Sequence, residues 1–131
     1  MLPAAFSPAP TDAEINAFIA HLFAPNFAPI PEFFAADFRA TDGAARANLG
    51  ASTQKGFFKD EVAIVGSEFK IPLAIVCGKE EQIVDLDYLR RLQAPTLWRR
   101  EVQVVANAGH AIQWEQADAF DRLLDEFASS V

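Results

Sequence analysis

The run Ile71-Pro-Leu-Ala-Ile-Val-Cys77 restricts the fold more than any other stretch of this chain. It is apolar at nearly every position, so as a strand it has no face to give to water. It needs cover on both sides, as in a parallel sheet between helices. Gly78 ends the run, and Glu80 and Glu81 follow in the turn past its carboxyl end. Asp85 is placed to N-cap a helix over Leu86–Leu92, which Pro95 stops. A second predicted strand, Val102–Ala106, runs into Asn107-Ala-Gly-His110. Strand, helix and parallel strand make a βαβ unit, so the predicted fold class is α/β. Carboxylates and a histidine then stand at the carboxyl ends of neighbouring strands, where open α/β sheets gather ligands and catalytic groups.

The chain before this unit reads as helical. Residues 1–10 hold three prolines and no charge, and are expected to form an extended arm. Thr11-Asp-Ala-Glu14 is a capping-box sequence, and Ile15, Phe18, Ile19 and Leu22 follow at helical spacing up to Phe23 before Pro25 ends the helix. Pro31 suits the first turn of a second helix carrying Phe33, Phe34 and Phe38. Asp42 can cap a third helix from Gly43 to about Thr53, and Phe57–Val65 forms a further helical piece leading to Gly66. After the βαβ unit, Trp114–Phe127 predicts a closing helix with Phe120, Leu123, Leu124 and Phe127 on one face. The expected division is a helical segment over 1–70 and a βαβα part over 71–131. Ten of the twelve phenylalanines precede residue 70. Individually they read as packing, and as a group they can wall an apolar pocket.

Composition narrows the function classes. A net charge of −7 argues against nucleic-acid and anionic-membrane partners. A single cysteine makes no internal disulfide and fits a reducing compartment. No apolar run approaches the ~20 residues that span a bilayer, and the first residues lack the basic start of a signal peptide. A soluble cytoplasmic protein is the expectation. Two histidines and no cysteine cluster give no metal-ligand spacing, and no glycine-rich phosphate loop occurs, so neither a metal nor a cofactor is expected. Cys77 sits within a buried strand as a small hydrophobe. Ser52 lies in an alanine-rich helix, and His21 faces solvent on the first helix.

From Gly78-Lys-Glu-Glu81 to Gly109-His110-Ala-Ile-Gln-Trp-Glu115, the chain resembles the C-terminal part of an α/β-hydrolase, over about residues 40–128. In that family an apolar strand ends in Gly-x-x-Asp or Gly-x-x-Glu, which supplies the triad acid. The next strand ends in Gly-His, which supplies the base. The resemblance implies that His110 is the general base, a task that needs a group titrating near neutrality. It implies Glu81 as the acid that fixes the imidazole's tautomer, with the adjacent Glu80 as the competing assignment. Asp85 and Asp87 read as helix-start charges, as does Glu115, after which Ala117 stands where the family usually has proline. Gly109 is expected to permit a tight turn before the histidine.

Nucleophile, acid and histidine follow in that chain order in this family, yet no Gly-x-Ser-x-Gly elbow occurs in the 131 residues. The resemblance therefore implies a portion of a longer enzyme that hydrolyses an ester, lactone or similar small apolar substrate. The portion alone lacks a nucleophile and an oxyanion hole. It also implies an apolar strand edge without its neighbour, hence self-association into an oligomer. The alternative is a stand-alone, non-catalytic, self-associating module.

Overall fold

The computed structural model describes residues 3–53, 56, 60–67 and 69–131. The chain forms two compact units, one from residues 1–21 and 28–59, the other from residues 22–27 and 60–131. They do not follow a single cut at residue 70, because Leu22–Phe27 belongs with the second unit.

The first unit is helical: α1 (Pro3–Phe6), α2 (Asp12–Ala20), α3 (Phe33–Ala40) and α4 (Gly43–Ser52). The expected extended arm thus contains a helical turn, whose Ala4 is buried. Proline at the first helical position gives up no hydrogen bond, so Pro3 starts α1 without penalty. The start of α2 is the predicted capping box: the Glu14 amide donates to the Thr11 hydroxyl, and the Thr11 amide donates to the Glu14 carboxylate at 2.7 Å. Asp42 caps α4 through the Ala44 amide at 2.8 Å. Two glycines admit close neighbours here. A Cβ on Gly43 would lie 2.1 Å from the Pro8 carbonyl oxygen, and one on Gly50 would lie 2.9 Å from Phe6 Cβ. Arg46 ties the unit together by donating to the carbonyls of Ser7, Phe38 and Thr41, with its guanidinium over the Phe38 ring. An open cavity of about 690 Å³ is lined by Ile19, Ile30, Phe33 and Arg39 among others. Among the described residues Phe33 is the only phenylalanine lining it.

The second unit holds α5 (Glu61–Ser67), β1 (Val76–Gly78), α6 (Leu86–Arg90), β2 (Gln103–Val105), α7 (Ile112–Glu115) and α8 (Ala117–Ala128). The predicted helix over 57–65 is displaced: Phe57–Lys59 lie outside the described residues, and α5 begins at Glu61. β1 and β2 pair in parallel, Val76 with Gln103 and Gly78 with Val105, so the predicted βαβ unit is present. Both strands are shorter than expected. Over Ile71–Ile75 the chain adds one isolated bridge, Leu73 to Leu97, because its neighbour turns away through a short 3₁₀ turn at Trp98–Arg100. Asp85 caps α6 by accepting from the Asp87 and Tyr88 amides. The closing helix breaks in two at Gln116, whose backbone is non-helical (φ −138°, ψ 54°). One core cluster of this unit is Val105, Ala108 and Ile112, with Val76, Ala119, Phe120 and Leu123 packed against it.

Candidate active site

Both predicted strands deliver their turns to the same place. Gly78 is buried at the end of β1, and a Cβ there would sit 2.1 Å from the Gly109 carbonyl oxygen and 2.2 Å from that of Ala108. With no Cβ, the histidine turn lies directly against the strand end. Gly109 is required for the same steric reason. Its Cβ would lie 2.5 Å from the Phe23 carbonyl carbon and 2.6 Å from the Ala24 nitrogen. The expectation that Gly109 serves a tight turn is corrected here: the left-handed position is taken by Asn107 (φ 57°). Asparagine tolerates that region better than most residues.

The histidine turn is held residue by residue. The Ala108 amide donates to Glu80 Oε2 at 3.0 Å, and its carbonyl accepts from the Glu80 amide at 2.9 Å. The Gly109 amide donates to Glu115 Oε2 at 2.7 Å. His110 Nδ1 lies 2.8 Å from Glu81 Oε2, and the Ala111 amide donates to the Leu22 carbonyl at 2.8 Å. The other oxygen of Glu81 accepts from the Ile83 amide at 2.7 Å, which fixes the carboxylate from its own side of the gap.

The Glu81 side chain is only 5% exposed, whereas that of His110 is 46% exposed. An ionised carboxylate only accepts, so a neutral imidazole bonded to it this way carries its proton on Nδ1 and its lone pair on Nε2. Among the described residues nothing partners Nε2. The arrangement is a half-exposed imidazole bonded to a buried carboxylate.

Glu80 and Glu81, which the sequence leaves as competitors, thus reach different groups, and only Glu81 reaches the imidazole. Glu115 does more than charge the first turn of a helix, because its two oxygens join the histidine turn to the Ala24 amide 2.6 Å away. Nothing in the local sequence signals that reach, since Ala24 and Glu115 are 91 residues apart.

Cys77 is buried, and its thiol is pushed above its ordinary value of 9.0 by burial first and by the Glu81 charge second, with Arg90 opposing. It stays a protonated thiol at neutral pH. Ser52 belongs to α4 in the other unit, where its hydroxyl donates to the Leu49 carbonyl at 2.7 Å. His21 ends α2 half-buried, its Nδ1 2.6 Å from the Ala17 carbonyl oxygen, and not facing freely into solvent as expected.

No known family profile matches the chain. It is 33% identical over 64 residues to a 2-hydroxy-6-oxononadienedioate/2-hydroxy-6-oxononatrienedioate hydrolase of Burkholderia vietnamiensis (strain G4 / LMG 22486), a match over 47% of this chain and 21% of that protein. Among solved structures it resembles the N-acyl homoserine lactonase AidH. With a variant complexed with N-hexanoyl homoserine lactone, the TM-score is 0.87 at 25% identity over 97% of this chain. With the enzyme complexed with N-butanoyl homoserine, it is 0.86 at 25% identity, again over 97% of this chain. The chain spans 45% of those lactonase chains, less than half their length. No helix among the described residues is long and apolar enough to cross a membrane. The parallel βαβ unit and its helices have the fold of the C-terminal part of an α/β-hydrolase.

Proposed function

We propose that this chain supplies the base, His110, and the acid, Glu81, of a nucleophile–histidine–acid triad. The triad hydrolyses an ester, lactone or similar small apolar substrate. The observation that carries this reading is the 2.8 Å bond from His110 Nδ1 to a buried Glu81 oxygen, with Nε2 left without a partner among the described residues. The activities of the similar proteins, a hydrolase and a lactonase, agree with it. Nε2 takes the nucleophile's proton as that atom attacks the carbonyl carbon. The imidazolium formed is stabilised by Glu81, and Nε2 then returns the proton to the leaving oxygen. Water repeats the cycle on the acyl intermediate.

The nucleophile and the amides that bind the oxyanion come, on this reading, from polypeptide outside these 131 residues. Those groups supply most of a triad enzyme's acceleration, so the isolated chain is expected to leave activated esters untouched. Turnover by the purified chain that His110→Ala abolishes contradicts this. The decisive test is the intact mass of the native protein, detected with an antibody raised against this chain. A species about twice as long, as in the lactonase of which this chain spans 45%, supports the reading if its esterase or lactonase activity disappears with His110→Ala. A species of 14.4 kDa, or activity indifferent to His110, overturns it.

A second reading, a self-associating module, is favoured by one feature. Among the described residues β1 has a partner on one side only. Beside it Ala74, Val76, Phe120, Leu123, Leu124 and Phe127 line an apolar groove of about 340 Å³. Sedimentation of the purified chain tests this, and a sharp monomer at micromolar concentration rules it out.

A further inference from the structure

Glu81 and His110 stand on two loops, each anchored by a strand of only three residues. Loops so placed depend on the bonds between them: Glu80 and Ala108 tie them directly, and a third segment ties them again. The segment Leu22–Ala24 is bonded to both. On the acid side, the Gln82 side-chain amide, next to Glu81, donates to the Phe23 carbonyl at 2.6 Å. On the histidine side, the Ala111 amide donates to the Leu22 carbonyl at 2.8 Å. There too the Ala24 amide donates at 2.6 Å to Glu115, whose second oxygen holds the Gly109 amide. Gln82 adjoins the acid, and Gly109 and Ala111 flank the base.

The segment is itself firmly seated. The Phe23 side chain is fully buried and stacks on Phe27 with ring centroids 4.9 Å apart. The Gly109 backbone presses on it closely enough to exclude a Cβ.

We propose that Leu22–Ala24 is a strap that sets the separation of His110 and Glu81, with Gln82 and Glu115 as positioning residues. The inference rests on the pair being the working base and acid. None of the hydrogen bonds of the strap goes to the side chain of His110 or Glu81. Together with the direct Glu80–Ala108 bonds, the strap limits the relative freedom of the two loops, so that Nδ1 stays within bonding distance of the carboxylate and the imidazole keeps the tautomer with its lone pair on Nε2. A side chain merely contributing stability would lower the unfolding midpoint and leave the folded imidazole unchanged.

The tautomer is therefore the readout. Long-range ¹H–¹⁵N spectra of the full chain, labelled with ¹⁵N-histidine, distinguish Nδ1–H from Nε2–H rings. With two histidines, His110→Ala assigns the signals. The wild type is expected to show His110 as the Nδ1–H form, and Glu81→Gln to lose that signature. Glu115→Ala is expected to lose it too while the chain remains folded by circular dichroism, and Glu115→Gln, which keeps one acceptor oxygen, to restore part of it. Gln82→Met keeps size, removes the single bond to Phe23, and carries the test if Glu115→Ala fails to fold; partial loss is expected.

Folded Glu115→Ala and Gln82→Met chains with the wild-type signature overturn the strap while leaving the pair intact. A wild type lacking the Nδ1–H form, or a Glu81→Gln chain retaining it, overturns the pair and the strap together.

Discussion

Glu80 and Glu81, adjacent in the chain, divide the histidine turn between them: Glu80 holds the Ala108 amide at 3.0 Å, and Glu81 holds His110 Nδ1 at 2.8 Å. One carboxylate fixes backbone and the other fixes the imidazole, so their substitutions separate. In an assembled hydrolase carrying this chain, Glu81→Gln is expected to lower kcat by on the order of 10⁴, the scale seen when a triad acid becomes an amide. Glu80→Gln keeps kcat within the same order of magnitude. It lowers stability by up to about 1 kcal/mol, because the amide oxygen still accepts from Ala108 but without the charge. Steady-state kinetics beside urea unfolding of both variants reads the two effects, and equal losses of kcat contradict the division.

Gly78 allows the strand end and the histidine turn to meet backbone to backbone. Gly78→Ala places a methyl 2.1–2.2 Å from two carbonyl oxygens that no rotamer change can move aside. The expected cost is about 3 kcal/mol, at the upper end of overpacking effects. Thermal unfolding measures it, and a midpoint within 2 °C of wild type (a few tenths of a kcal/mol for a domain of this size) rejects the account.

The Cys77 thiol is held above its ordinary value of 9.0 by burial and then by the Glu81 charge. The folded state therefore favours the protonated form more than the unfolded state does. Its contribution to stability is intact below pH 9.0 and lost as pH rises through the raised folded value. Ellman's reagent is expected to label the native chain far more slowly than the urea-unfolded chain at pH 8. Comparable rates mean that the thiol is neither buried nor shifted.

Glu14 behaves oppositely. The Thr11 amide, and then the Thr11 hydroxyl, bond to its carboxylate and lower its pKa from 4.5. That contribution is present above pH 4.5 and lost as pH falls through the depressed folded value. Urea midpoints measured down to pH 2 are expected to fall less steeply for Glu14→Gln than for wild type in this window. Superimposable profiles exclude the effect.

Local chemistry was the legible part of this chain. Thr11 with Glu14, Asp42 and Asp85 cap the helices predicted for them, because a cap is decided within a few residues. Parallel pairing of the two apolar runs was also legible, but not its extent. A strand is as long as its neighbour allows, and the chain at Trp98–Arg100 turns away, with Arg99 and Arg100 both at positive φ. The pairing of Glu81 with His110 was expected from the resemblance, and the coordinates add that Glu80 reaches a backbone amide instead. The reach of Glu115 and Gln82 to residues 23 and 24 left no trace in periodicity or motif. Their partners lie 91 and 59 positions away and are backbone groups, which any residue type supplies.

Leu22–Phe27 enters and leaves the second unit with chain of the first on either side. Anyone grafting a foreign helical module onto this scaffold therefore faces three splice points. A junction made at 60 alone discards the carbonyl that Gln82 holds, the amide that Glu115 holds and the buried ring of Phe23. Junctions at 21, 28 and 60 keep all three. The modular seam of this protein is three cuts, two of them around six residues, and a chimera that ignores it inherits the histidine without its setting.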